Sequence, residues 1–395
     1  MSNLIHNINN FFDVILSLVN NEEFIQVIFK IMYWRIIMLN FALGPVMSSD
    51  LILEIGSQQT PYFRTPEFSK INLENEKLMK ELVFADEDAR AIFLTGSGTS
   101  GMEATVMNVL NENDKVLVVN GGGFGQRFVD LCKLHNITCD DIKVDFGSCL
   151  TSEMLEQYDN KDYTAFMVNI CETSSGVHYD IDMISDFCER NNLFLIVDAI
   201  SSFLADYINM VEHKVDVLLT GSQKALACPP GIAIIVLSPE AIERVNKNTC
   251  KSMYFDFEDM LINGVRGQTP YTPAITVILQ LNARLKQLYD AGGVLKEIER
   301  ISSIAEDFRT KIEQFPFEVR CKCLSNAVTT VHSNEILNVN LVEILKNEYD
   351  IWVSTARDDL SKDMIFRVGH MGDLTFEDND KLIEALKDIQ KRGFF

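Results

Sequence analysis

The stretch Leu193-Phe194-Leu195-Ile196-Val197-Asp198 is followed, after a second apolar run from Val215 to Leu219, by Gly221-Ser222-Gln223-Lys224-Ala225-Leu226. Consecutive apolar residues closed by polar ones are the pattern of a strand covered on both faces. Asp198 ends the first run, and Lys224 stands 26 residues later (224 − 198). In a parallel sheet, ligands bind at the carboxyl ends of strands. An acid and a lysine at the ends of neighbouring strands would therefore meet in one cleft.

The same grammar extends outward. From about residue 87 to 240 the strand-like runs Ala91–Thr95, Val116–Val119, Ala165–Ile170, Leu193–Asp198, Val215–Thr220 and Ile232–Leu237 alternate with helical stretches. One such stretch, Ile181–Asn192, has apolar residues at Ile181, Ile184, Phe187 and Cys188. This β-α alternation predicts an α/β fold with a mostly parallel sheet flanked by helices. Residues 274–314 read as one long helical connection. Beyond it, strand candidates Val328–Val331 and Met364–Val368 and an amphipathic helix over Phe376–Gln390 predict a smaller C-terminal α+β domain. The expected division is an N-terminal extension of uncertain role (1–37), a large domain (38–285) and a small domain (286–395).

Composition narrows the function. The 395 residues carry a net charge of −22 (35 basic minus 57 acidic), which opposes a nucleic-acid partner. Nine scattered cysteines without a secretory leader predict reduced thiols in a cytoplasmic protein. Cys321 and Cys323 have no second pair nearby, and no two histidines stand at i, i+4, so no metal site is expected. The apolar region Phe11–Leu39 is interrupted by Asn20, Asn21, Glu22, Glu23, Lys30 and Arg35, so no stable membrane insertion is expected. Met38 would make a sensible beginning for the core of the protein.

The acid–lysine pair fits the chemistry of pyridoxal phosphate. A lysine holds that cofactor as a Schiff base, and an acid keeps its ring nitrogen protonated. A phosphate cup is available at Gly96-Ser97-Gly98-Thr99-Ser100-Gly101, which follows a strand and opens a helix-like stretch from Met102 to Leu110. Small residues there let backbone amides approach an anion at a helix N-terminus. The string also matches G-x-G-x-x-G, a dinucleotide-binding pattern that wants an acid at the end of the next strand. That strand, Val116–Val119, ends instead in Asn120-Gly121-Gly122-Gly123. Ser97 and Thr99 offer hydroxyls suited to a single phosphate. Phe124, in the glycine-rich turn 121–125, offers a flat ring to stack on a pyridine.

With those residues in place, the chain resembles the class V (fold type I) pyridoxal-phosphate aminotransferases, in particular the alanine- or serine-glyoxylate and 2-aminoethylphosphonate–pyruvate group. The resemblance covers roughly residues 40–390. It runs through Leu43-Gly44-Pro45, Arg64-Thr65-Pro66-Glu67-Phe68, Gly96-Ser97-Gly98-Thr99, Asn120–Arg127, Glu172-Thr173-Ser174-Ser175-Gly176, Val197–Ser202, Gly221–Leu226 and Arg367-Val368-Gly369-His370-Met371-Gly372. It implies a seven-stranded, mostly parallel sheet in the large domain, and pyridoxal 5'-phosphate as cofactor. Lys224 would carry the cofactor and shuttle the proton, and Asp198 would pair with the ring nitrogen. Thr173 would bond the ring hydroxyl, and Phe124 would stack on the ring. Gly98, Thr99 and Gln223 would help hold the phosphate, with Thr272 donated by a second subunit. Arg367 would clamp the substrate carboxylate, and the loop at Gly44 would help shape the substrate pocket. A homodimer with a shared active site follows, acting on a small amino donor and a 2-oxo acid.

The subgroup stays open. The Gln223-Lys224-Ala225-Leu226 string resembles the glyoxylate-type branch, whereas Thr269 and Pro270 fit neither branch's pattern before Thr272. A small-amino-acid–glyoxylate or –pyruvate transaminase is favoured. The alternatives are a 2-aminoethylphosphonate–pyruvate aminotransferase and a class V lyase or desulfurase, for which Cys228 and Cys323 are poor candidate nucleophiles.

Overall fold

Strands without an exposed residue can only be covered on both sides, and three of them set the centre of the main sheet. The computed structural model describes residues 38–334, 337, 339–355 and 363–395. The expected extension, 1–37, lies outside the described residues. The strands are β1 (Leu39–Phe41), β2 (Arg90–Gly96), β3 (Lys115–Asn120), β4 (Thr138–Lys143), β5 (Ala165–Asn169), β6 (Cys171–Glu172), β7 (Val177–His178), β8 (Phe194–Asp198), β9 (Val217–Gly221), β10 (Gly231–Leu237), β11 (Val328–His332), β12 (Ile351–Thr355) and β13 (Met364–Gly369). The helices are α1 (Asp50–Gly56), α2 (Pro66–Leu82), α3 (Gly98–Val109), α4 (Gly123–Leu134), α5 (Ser152–Glu156), α6 (Ile181–Arg190), α7 (Pro239–Lys247), α8 (Phe257–Gly264), α9 (Ile275–Asp290), α10 (Val294–Ile312), α11 (Leu341–Tyr349) and α12 (Phe376–Lys391).

The main sheet has the order β2-β10-β9-β8-β5-β3-β4. The pairs among β4, β3, β5, β8 and β9 are parallel, and β10 runs antiparallel to both its neighbours. Every residue of β5, β8 and β9 is buried. Period-two alternation splits their side chains between two cores. In β10, Ile232, Ile234 and Val236 enter one core, and Ala233, Ile235 and Leu237 enter the other. A second sheet, β1-β12-β13-β11, packs with α10 and α12 around Phe41, Phe308, Phe366 and Leu386. Its first strand comes from the start of the described chain, where Leu39 pairs with Ile351. No helix among the described residues is long and apolar enough to cross a membrane.

Three details depart from the sequence reading. The helical connection over 274–314 is two helices, because Gly292 and Gly293 adopt φ of +107° and +78° between α9 and α10, which only glycine does readily. The run from Val215 begins as a turn, with the Val215 amide bonded to the Met210 carbonyl, so β9 starts at Val217. The thiols are not all reduced. Cys149, after β4, and Cys323, before β11, form a disulfide across 174 residues, with Cα atoms 5.7 Å apart. The other seven cysteines are free. Sequence spacing could not show this pair, because the two come together only when the segment before β11 folds back onto the two-stranded β6–β7 sheet, where Leu324 bridges to Val177. There Cys323 O accepts from His178 N at 2.7 Å, and Ser325 N donates to Gly176 O at 3.2 Å.

Candidate active site

The parallel register of β8 and β9 decides where Asp198 and Lys224 lie. Asp198 pairs with Leu219, so both carboxyl ends open on the same edge of the sheet, β9 running two residues further to Gly221. Asp198 is the last residue of β8, and Lys224 follows β9 by three residues (224 − 221). The Lys224 amine, deep in the cleft, donates to the Leu43 carbonyl at 2.5 Å. Burial lowers its pKa to about 8, Cys171 and Asp198 work against that shift, and Arg367 adds to it. Asp198 is itself buried, with Oδ1 accepting from Ile200 N at 2.8 Å. Burial raises its carboxyl to about 7, against the Ile200 bond and the positive charges of Lys224 and Arg127, while Glu172 raises it further.

Gly44 sits against the lysine. It has φ +137°, and a Cβ there would lie 2.9 Å from Lys224 Cδ and 3.1 Å from Nζ. The cup forms where β2 gives way to α3. Ser97 is the cap residue, and its carbonyl accepts from the amides of Ser100 and Gly101 at 2.9 and 3.3 Å. A Cβ on Gly98 would collide with Ile200, so glycine lets the cup close over the loop that follows Asp198. Gln223, next to Lys224 in the chain, has a buried Oε1 with no hydrogen-bond partner among the described residues.

A wall on the far side is built from α4. Phe124 is in the first turn of that helix rather than in a loop, and Arg127 lies over its ring at 4.8 Å. Arg127 also donates to the Thr99 hydroxyl at 2.9 Å, which ties the wall to the cup. Thr173, in the turn between β6 and β7, is buried, and its carbonyl accepts from Arg367 Nη1 at 2.9 Å. The Thr355 carbonyl accepts from Arg367 Nε and Nη2 at 3.1 and 2.8 Å. The structure thus brings Lys224, Asp198, Gly44, Ser97, Gly98, Thr99, Phe124, Thr173, Gln223 and Arg367 around one cleft.

The profile of the Aminotransferase class-V family matches residues 61–358, which include Asp198 and Lys224. The chain belongs to this family. An uncharacterized aminotransferase of Methanocaldococcus jannaschii is 30% identical over 83% of this chain and 86% of its own length. An L-aspartate–glyoxylate aminotransferase of Paracoccus denitrificans is 28% identical over 85% of this chain and 86% of its own. Among solved structures, the ureidoglycine–glyoxylate aminotransferase of Bacillus subtilis superposes with a TM-score of 0.83 at 20% identity, covering 91% of this chain and 95% of that one. This class-V aminotransferase is therefore an enzyme of amino-group transfer.

Thr272 is the outlier among the aminotransferase's expected site residues. It is exposed, and no hydrogen bond among the described residues joins it to Lys224 or its neighbours. It lines a cavity of about 50 Å³ with Thr95, Tyr254 and Tyr271. Two residues of the aminotransferase's cleft went unassigned in the sequence, Arg127 and Glu172. Arg127 could have been suspected from its place three residues after Phe124, which is one helical turn. Glu172 gave a weaker signal, a single acid between Cys171 and Thr173.

Proposed function

We propose that this aminotransferase uses pyridoxal 5'-phosphate to move an amino group from a small amino donor, alanine or serine, to a 2-oxo acid, glyoxylate or pyruvate, by a ping-pong cycle. The observation that carries the reading is the half-buried Lys224, whose amine donates to the Leu43 carbonyl and has its pKa lowered to about 8, beside the buried Asp198 carboxyl. Burying two ionisable groups with no strong bond between them is costly unless a ligand completes the site. The remaining residues fit the cofactor. A small-residue helix N-terminus suits its phosphate, to which Gln223 would offer its Nε2 donor rather than its carbonyl oxygen, and Phe124 suits its ring.

When bound, the cofactor supplies a protonated ring that accepts the electron pair left on removal of the substrate Cα proton. Lys224 would hold the cofactor covalently and then carry that proton on Nζ. An amine near pKa 8 is well matched to this work at neutral pH. Asp198 would keep the ring nitrogen protonated. Thr173 would orient the ring hydroxyl. Ser97, Gly98, Thr99 and Gln223 would hold the phosphate. The Arg367 guanidinium, oriented by the Thr355 and Thr173 carbonyls, would bind the substrate carboxylate.

We assign Thr272 to the active site of a second copy in a homodimer. Its loop packs against an exposed apolar cluster from the neighbouring loop between α7 and α8, of the kind that subunit contacts cover, with Met253 80% and Tyr254 43% exposed and Tyr254 stacked on Tyr271 at 5.6 Å. A desulfurase is disfavoured, since it needs a mobile, reactive thiol. Cys228 is buried with its pKa pushed up to about 12, and Cys323 is paired with Cys149. A cytoplasmic location accords with the seven free cysteines, and the one disulfide stands against it.

The donor reading draws on the Gln223-Lys224-Ala225-Leu226 string, and the acceptor reading on two glyoxylate-named relatives that differ in donor. The test is a half-reaction panel. Loaded protein is mixed with alanine, serine, aspartate or 2-aminoethylphosphonate while the cofactor's visible absorbance is followed. Bleaching by alanine or serine and recovery with glyoxylate or pyruvate are expected. Bleaching by 2-aminoethylphosphonate alone would replace this reading with the phosphonate one.

A further inference from the structure

Glu172 has no exposed surface and no ion-pair partner among the described residues, yet it gathers five hydrogen-bond donors. Oε2 accepts from Phe124 N at 3.0 Å, Gly125 N at 3.3 Å and Asn169 Nδ2 at 3.2 Å. Oε1 accepts from Ser174 N at 3.2 Å and from the Ser174 hydroxyl. We propose that Glu172 is a positioning residue that fixes the first turn of α4, so that Phe124 and Arg127 stand where a flat cofactor ring and its phosphate cup need them. The inference rests on the cofactor reading above.

Three observations support it. A carboxylate at the N-terminus of a twelve-residue helix is stabilised by that helix's unsatisfied amides and dipole. The chain makes room for it, since a Cβ on Gly122 would lie 2.5 Å from Glu172 Cδ. The carboxylate also links the walls of the cleft. It holds the Phe124 amide on one side, and on the other it is chain neighbour to Thr173, whose carbonyl orients Arg367. Behind it, Asn169 pairs in register with Asp198. A shift of α4 would move Phe124 and the Arg127–Thr99 bond together.

The test compares wild type, Glu172→Gln and Glu172→Asp. Gln keeps the shape but turns an NH₂ group toward backbone donors, so one or more charge-assisted bonds are lost. Each variant is titrated with pyridoxal phosphate, and the visible circular dichroism per bound cofactor is recorded, because its sign and size report ring tilt. Glu172→Gln is expected to bind about 10-fold more weakly, as loss of one such bond implies, with an altered dichroism band. Glu172→Asp should recover part of both. A band and affinity equal to wild type in Glu172→Gln would overturn the proposal, as would a lower melting temperature with an unchanged band. If Glu172→Gln does not fold, Ser174→Ala serves, since it removes one donor and leaves the carboxylate. It should alter the band in the same direction, and an unaltered band would overturn the proposal. Failure of the underlying reading looks different, because wild type itself would then bind no cofactor on Lys224 in borohydride-reduced peptide maps.

Discussion

Lys224 and Asp198 are burdened by burial in opposite directions, and their pH behaviour separates them. Only the free amine of Lys224 can attack an aldehyde. With a pKa lowered to about 8, the free fraction rises tenfold per pH unit below 8 and levels off above it. Capture of pyridoxal phosphate by the cofactor-free protein should follow that curve in stopped-flow absorbance. A lysine of ordinary pKa would keep climbing past pH 9. Asp198 behaves in the reverse sense. Between its ordinary value of 3.8 and the raised value of about 7, the folded form holds a proton that the unfolded chain has lost. Stability therefore falls as pH rises through that window, and the cost is complete above 7. Asp198→Asn should stabilise the cofactor-free protein by up to about 4 kcal/mol at pH 8 and by almost nothing near pH 4, while lowering kcat by about 10³-fold or more. Melting curves at the two pH values check the first part, and equal stabilisation at both would contradict it.

Turns and helix starts, rather than strands, are where the site's elements are most exacting. Gly44 lies at φ +137° against the Lys224 side chain. Gly44→Ala combines backbone strain of about 1–3 kcal/mol with displacement of the amine. It should slow cofactor capture at least about tenfold while leaving far-ultraviolet dichroism unchanged. The strands themselves were legible because β5, β8 and β10 are continuous apolar runs. β4 was not legible. Its Thr138-Cys139-Asp140-Asp141-Ile142-Lys143 sequence buries only Ile142, as befits a charged edge strand. The acid–lysine pair could be found from its placement, since Asp198 ends β8 and Lys224 follows the end of β9 by three residues (224 − 221). The Leu43 carbonyl, the Glu172 carboxylate and the Cys149–Cys323 link could not, because each depends on contacts between segments far apart in the chain.

At the scale of the whole molecule, Thr272 is the expected site residue that one copy does not bring to its own cleft. One copy of the chain folds around its own Lys224 but leaves Thr272 on an exposed loop beside Met253 and Tyr254. Lys224→Ala and Thr272→Ala are each expected to be inactive or strongly impaired alone, Lys224→Ala by at least about 10³-fold in kcat. Unfolded together and refolded as a mixture, they should regain part of the wild-type rate, because a mixed dimer contains one site with both residues intact. Activity no greater than the sum of the separate variants would argue that each subunit's site is self-sufficient.

The pairing of β1 with β12 has a consequence for biosynthesis. The Leu43 carbonyl that receives the lysine amine sits just after a strand whose register partner, Ile351, is 312 residues downstream of Leu39 (351 − 39). A ribosome must therefore add more than three hundred further residues before that strand can dock. Nascent or prematurely terminated chains can already contain the lysine, but its lintel has nothing to rest on.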